Sequence, residues 1–197
     1  MVATRNRGKL QEIRALVADL PVTVRGVAEF PEAPSVEETG STFAENACLK
    51  ALAAARATGC LALADDSGLE VEALGGRPGV HSARYAGEGG GDAARCRKLL
   101  LELAGVDWER RRARFVCVVA GARPTGILWT VEGTCRGYVN GEMRGNGGFG
   151  YDPVFYYPPL GRTFAELTSA EKNAVSHRGR ALRQAYERLA EEFGSRC

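Results

Sequence analysis

The stretch TFAENACLKALAAARATGCLALADDSG, residues 42–68, decides how this chain folds. Thr42 and Glu45 form a capping-box pair: each side chain reaches the other's backbone N–H at the start of a helix. The alanine-rich run behind them has high helix propensity. Gly59 supplies the left-handed residue on which helices end. A helix is predicted from Thr42 to Gly59. Residues 61–64 are then a short apolar strand, running straight into Asp65-Asp66-Ser67-Gly68, read as a turn. Helix followed by buried strand is the α/β pattern, and ligands in open α/β sheets gather at the C-terminal ends of strands.

The same alternation extends outward. Residues 2–4 read as the end of a buried strand. Residues 8–19 read as a helix, with Asn6 as its N-cap and Leu10, Ile13, Val17 and Leu20 on one face. Residues 22–25 are a second strand, and 28–41 a polar loop holding Glu37 and Glu38. Downstream lie a glycine-rich loop (75–91), a helix (92–104), and two long strands (114–122 and 127–136) joined across Pro124-Thr125-Gly126 as a hairpin. A strand at 154–157 and a helix at 176–193 follow, the helix with Leu182, Ala185, Leu189 and Phe193 inward. Strands and helices alternate early and a hairpin lies in the middle, which argues an α/β fold with a mixed β-sheet.

At 197 residues the chain is expected to form one domain, or one with two lobes. A net charge of +2 carries no polyanion-binding signal. Arg110, Arg111, Arg112 and Arg114 lack interleaved aromatics and read as a solvated turn, so no nucleic-acid partner is expected. No apolar run is long enough to span a bilayer, and Met1-Val2-Ala3-Thr4-Arg5 meets charge too soon for a signal peptide. Cys48, Cys60, Cys96, Cys117, Cys135 and Cys197 are scattered without a C-x-x-C pair, which argues against zinc and for a reducing cytoplasm; Cys117 reads as a core residue.

Four clusters carry chemistry. Gly147-Gly148-Phe149-Gly150-Tyr151-Asp152-Pro153 combines a close backbone approach with an aromatic that stacks on a flat ring. Lys172, His177 and Arg178 follow as donors, Arg178 shaped for a phosphate fork. Thr4-Arg5-Asn6-Arg7-Gly8-Lys9 sits at a strand-to-helix junction, where free N–H groups suit phosphate, although the Walker A spacing is absent. Glu37 and Glu38, with Asn46 and Lys50 beyond, either favour a helix dipole or act as hard oxygen ligands for magnesium. Asp65 and Asp66 point in different directions, so one is free to hold metal while the other fixes the turn. His81, in the glycine-rich loop, reads as structural.

In order, these clusters resemble the inosine/xanthosine triphosphate pyrophosphatases. The patterns T-x-N-x-x-K, E-T-G-x-T-F-x-x-N-A-x-x-K-A, D-D-S-G-L, P-G-x-x-S-A-R-Y-x-G, G-G-F-G-Y-D-P and E-K-N-x-x-S-H-R run in register from Thr4 to Arg178. The chain departs from them at Arg5, where the family has glycine, and at His81, where tyrosine is usual. It also begins just before its first motif, which suggests a clipped first strand or a misassigned start.

The resemblance implies an elongated mixed β-sheet with flanking helices, two lobes around a central cleft, and a homodimer. It implies hydrolysis of inosine, deoxyinosine and xanthosine triphosphates to monophosphate and pyrophosphate, with magnesium as cofactor. By motif position, Thr4, Arg5, Asn6, Arg7, Gly8, Lys9 and Lys50 would meet the phosphates, and Ser67 the substrate. Glu38 and Asp66 would hold magnesium, with Asp66 also the catalytic base. Phe149, Gly150, Tyr151 and Asp152 would form the nucleotide-binding segment, with Lys172, His177 and Arg178 on base and phosphates. The rival expectations are a Maf-like pyrophosphatase acting on pyrimidine or modified nucleotides, and a nucleotide- or RNA-binding module without turnover.

Overall fold

The computed structural model describes residues 1–4, 7–31, 36–87 and 89–194. Among these residues five α-helices and five strands run α1 (Arg7–Leu16), α2 (Phe43–Thr58), β1 (Ala62–Val71), α3 (Asp92–Glu102), β2 (Arg112–Arg123), β3 (Gly126–Val139), β4 (Phe155–Tyr157), β5 (Arg162–Thr163), α4 (Ser169–Val175) and α5 (His177–Phe193). The strands form one sheet in sequence order, with β3–β4 and β4–β5 antiparallel. Val2 adds isolated parallel bridges to Gly26 and to Leu63, so the pairing is mixed, as the sequence pattern predicts.

The chain divides into two compact units. One comprises Met1–Asp66, Cys117–Gly133 and Arg180–Cys197; the other comprises Ser67–Val116 and Thr134–Gly179. In the first unit α2 begins as expected. Thr42 Oγ1 accepts the Glu45 N–H at 3.1 Å and Glu45 Oε2 accepts the Ser41 N–H at 2.7 Å. Gly59 ends the helix at φ +67°. Phe43, Ala47, Ala51, Ala54 and Ala55 are buried at helical spacing, where small side chains let the helix approach its neighbours closely. Ile13 and Val17 of α1 pack with Val2, Leu63 and Leu189. Ala181 and Ala185 of α5 pack with Cys117, Val119 and Val131, so the inward face read from the sequence is the observed one.

The second unit is built on an aromatic centre. Phe115, Phe155 and Phe164 lie within 4.5–5.8 Å of one another, ring centre to ring centre. Leu69, Val71, Leu99, Leu103, Val139 and Val154 complete this core.

Several elements differ from the sequence reading. Asp65–Gly68 is not a turn, because β1 continues through it to Val71. Leu69 and Val71 are fully buried, and their core contacts keep the strand extended past the polar residues. Residues 22–25 form no strand; only the Gly26 bridge is made there. The basic run is not simply a solvated turn. Arg111 donates to the carbonyls of Val106, Leu103 and Asn140 at 2.8, 2.9 and 3.3 Å, closing the end of α3, while Arg112 and Arg114 already lie in β2. Helix α4 was not anticipated, yet Thr168 and Glu171 carry the same capping-box signature as α2.

Candidate active site

In the first unit the chemistry gathers where β1 leaves the core. Successive strand residues face opposite sides, so the neighbours Asp65 and Asp66 serve different partners. Asp65 takes Lys9 of α1 at 2.6 Å. Asp66 takes Lys50 of α2 at 3.1 Å. Lys50 also bonds Glu38 at 2.7 Å, so two carboxylates from separate segments converge on one ammonium. Helix spacing places Asn46 one turn before Lys50 on the same face. Its Nδ2 donates to Asp66 Oδ2 at 3.2 Å while its Oδ1 accepts the Gly40 N–H at 2.8 Å. Asn46, only 1% exposed, thus ties the loop carrying Glu38 to the strand carrying Asp66. A buried amide inside a motif of charged residues was the available signal for this role.

Burial pushes the Asp66 carboxyl above its ordinary value, and Glu38 adds to the shift; Lys50 and Asn46 oppose it. Burial pulls the Lys50 ammonium down, but Asp66 and Glu38 together outweigh it, leaving Lys50 above the usual lysine value. Thr4 follows Ala3, whose N–H bonds Leu63 O at 2.8 Å, and so runs toward the Asp65 end of β1. Arg5 and Asn6 lie outside the described residues. Arg7 and Gly8 form the first turn of α1.

In the second unit the glycine-rich segment is a fixed turn. Gly148 and Gly150 stand at φ +72° and +64°, where only glycine is unstrained. Asp152, 2% exposed, accepts the Phe149 N–H at 2.8 Å and pairs with Lys172. Burial raises the Asp152 carboxyl, with Lys172, the Phe149 N–H and Arg178 opposing it. The Phe149 ring is half exposed and carries two cations: Lys172 Nζ lies 4.3 Å and Arg178 Cζ 5.2 Å from its centre. Such contacts are cation–π attractions. Tyr151 is buried and donates its hydroxyl to Ser82 O at 2.9 Å, a structural tie. His177 is also buried, stacked 4.6 Å from Phe115 at 13°. Ser67 lies in β1 at intermediate burial, immediately after Asp66.

Gly179 sets the start of α5 against α4. Its N–H bonds Ser176 Oγ at 3.1 Å, and an added Cβ would overlap Asn173 O. Gly179→Ala is therefore expected to force the first turn of α5, with His177 and Arg178, away from α4. The expected loss is about 1–3 kcal/mol of stability, read from urea unfolding; an unchanged midpoint would contradict the contact.

Residues 1–188 match the model of the Ham1 family. The chain belongs to the Ham1 family. It is 55% identical over 196 residues to a dITP/XTP pyrophosphatase of Geobacillus kaustophilus, covering 100% of this chain and 96% of that protein. Among solved structures it is similar to a HAM1 protein from Coxiella burnetii, with a TM-score of 0.92 and 47% identity over 96% of this chain and 97% of that one. The Ham1 protein of Staphylococcus aureus gives a TM-score of 0.90 at 43% identity, covering 97% of each chain. Membership bears out the family resemblance that the six motifs carry. Among the described residues no helix is long and apolar enough to cross a membrane.

Proposed function

We propose that this Ham1-family chain hydrolyses inosine, deoxyinosine and xanthosine triphosphates to the monophosphate and pyrophosphate, clearing them from the nucleotide pool. What carries the reading is the convergence of Glu38 and Asp66 on Lys50, in a chain 55% identical to a dITP/XTP pyrophosphatase. Water attacks the α-phosphorus and its proton passes to Asp66. The bond from the α-phosphorus to the bridging oxygen breaks, and pyrophosphate leaves with the electron pair. Lys50 and Lys9 supply positive charge to the phosphates, an electrostatic contribution that grows as charge moves onto the leaving group. Thr4, Arg5, Asn6, Arg7 and Gly8 meet the phosphates, and Ser67 touches the substrate beside Asp66. Phe149 stacks on the base; Gly150, Tyr151 and Asp152 hold that ring's segment, and Lys172, His177 and Arg178 complete the nucleotide contacts.

Magnesium fits this donor set. Among the described residues there is no cluster of three or more His, Cys, Asp or Glu side chains able to cage a metal. Magnesium needs no such cage, since it uses one or two carboxylates and takes its other ligands from water and substrate phosphates. Glu38 and Asp66, already drawn to one cation, would hold it. When bound, it supplies Lewis-acid neutralisation of phosphate charge. The proposal includes a cytoplasmic homodimer, both on the family resemblance.

Incubation with inosine triphosphate and magnesium is expected to yield inosine monophosphate and pyrophosphate. Stepwise orthophosphate release would overturn the reading. Preference for pyrimidine nucleotides would favour the Maf-like alternative, and saturable binding without product a binding module.

A further inference from the structure

Gly150 is gripped at both of its backbone groups by one helix. Its N–H donates to Asp92 Oδ2 at 2.5 Å, and its carbonyl accepts from Cys96 Sγ at 3.3 Å. Asp92 and Cys96 stand four residues apart, on one face of α3. The other oxygen of Asp92 takes Arg95, whose guanidinium also donates to Ala83 O at 2.7 Å and Gly90 O at 3.3 Å. The loop before α3 and the start of α3 are thereby braced as one piece. Cys96 is fully buried, and burial pushes its thiol up to about 11, so it keeps its proton and its donor at neutral pH.

Phe149 precedes this grip. Its own N–H is fixed by Asp152 at 2.8 Å and the next peptide N–H by Asp92. Phe149 as a residue is 50% exposed, so core packing does not set its direction. Its backbone is held between two carboxylate anchors, and Lys172 and Arg178 lie against the ring so placed. The anchor on its own residue belongs to the G-G-F-G-Y-D-P motif. The second comes from α3, outside the residues so far given a part in catalysis or binding.

We propose that Asp92 and Cys96 are positioning residues for the nucleotide base: by holding the Gly150 peptide they set the angle at which Phe149 presents its ring. This rests on reading Phe149 as the stacking residue. Asp92 and Cys96 touch no substrate, and their effect passes through Phe149.

The test compares wild type, Asp92→Ala, Phe149→Ala and the double variant in two measurements: steady-state kinetics with inosine triphosphate and calorimetric binding of inosine monophosphate. Asp92→Ala is expected to raise KM and the monophosphate Kd about tenfold, with kcat within about threefold, the pattern of lost binding rather than lost chemistry. In the Phe149→Ala background the same substitution is expected to add less than twofold, because the two act as a unit. Asp92→Asn keeps an acceptor for the Gly150 N–H and is expected to bind within about threefold of wild type. If Asp92→Ala does not fold, Cys96→Val removes the thiol donor at similar volume and reads the same coupling, with a threefold to fivefold rise in Kd.

Losses that multiply in the double variant, a fall in kcat at constant KM, or unchanged Kd in folded Asp92→Ala or Cys96→Val would each overturn the proposal. If wild type binds inosine monophosphate but releases no pyrophosphate, the catalytic reading fails while the coupling in Kd still decides this one. If wild type binds no inosine nucleotide, both fall.

Discussion

Asp66→Asn is expected to lower kcat for inosine triphosphate at least about a hundredfold, the scale on which a lost general base or metal ligand is felt. The fold should survive. Asn46 Nδ2, which donates to Asp66 Oδ2 at 3.2 Å, meets an amide oxygen instead, and Lys50 keeps Glu38 at 2.7 Å. Burial is the largest influence on Asp66 and raises its pKa from 3.8. A carboxyl raised in the fold holds its proton more tightly there than in the unfolded chain. Its ionisation therefore weakens the fold as pH rises from the ordinary value through the raised one. A neutral amide avoids that penalty but gives up the attraction between Asp66 and Lys50, so a melting temperature close to wild type is expected.

Activity runs the other way, because the proposed roles need the carboxylate. The acid limb of kcat/KM should fall as pH drops through the raised value, above 3.8, and should move down when magnesium is increased, since a bound cation favours the ionised form. Asp65→Asn should cost less. It removes the Asp65 carboxylate from Lys9 but leaves the Glu38–Lys50–Asp66 group intact. Near-wild-type turnover in Asp66→Asn, or an acid limb indifferent to magnesium, would remove Asp66 from the chemistry.

Residues whose role is local were legible in the sequence. The Thr42–Glu45 box and Gly59 bound α2 because caps act within one turn, and the apolar stripes of α1 and α5 follow helical spacing. The strand through Asp65–Gly68 was not legible. Gly and Asp carry turn propensity, and what overrides it is the burial of Leu69 and Val71 in a core assembled from distant segments. The same holds for the site. Two of the six motifs name Glu38, Lys50 and Asp66, but only folding reveals that Asn46 fastens two of their segments together. His177 reads as a donor toward a ligand and Tyr151 as part of the nucleotide-binding segment; folding buries both side chains, one on Phe115 and one on Ser82 O. Arg111 looked like surface charge and instead satisfies three carbonyls.

Inosine triphosphate should be preferred over ATP by roughly 10³–10⁴ in kcat/KM, on the scale seen when a site built for one hydrogen-bonding pattern meets the opposite pattern. The reason lies in what surrounds the proposed stacking ring. Lys172 and Arg178 are the groups over Phe149, and both side chains are donors without acceptors. Asp152, the carboxylate on the Phe149 N–H, is 2% exposed and also committed to Lys172, so it is not offered as an acceptor to a base. A purine with oxygen at C6 accepts from such donors. Adenine presents an amino group there, leaving donor against donor, and each buried donor left unmet costs about 1–3 kcal/mol. Stacking on Phe149 is common to every purine and adds nothing to the difference. GTP keeps the C6 oxygen, so these donors do not reject it; its 2-amino group must be turned away by a second element. GTP is therefore expected to fall between the two, more than tenfold below inosine triphosphate but above ATP. The measurement is kcat/KM for inosine, xanthosine, guanosine and adenosine triphosphates at one magnesium concentration. ATP or GTP within tenfold of inosine triphosphate would exclude a pool-cleaning role even with the pyrophosphate-releasing chemistry intact, since cellular ATP and GTP would then be consumed.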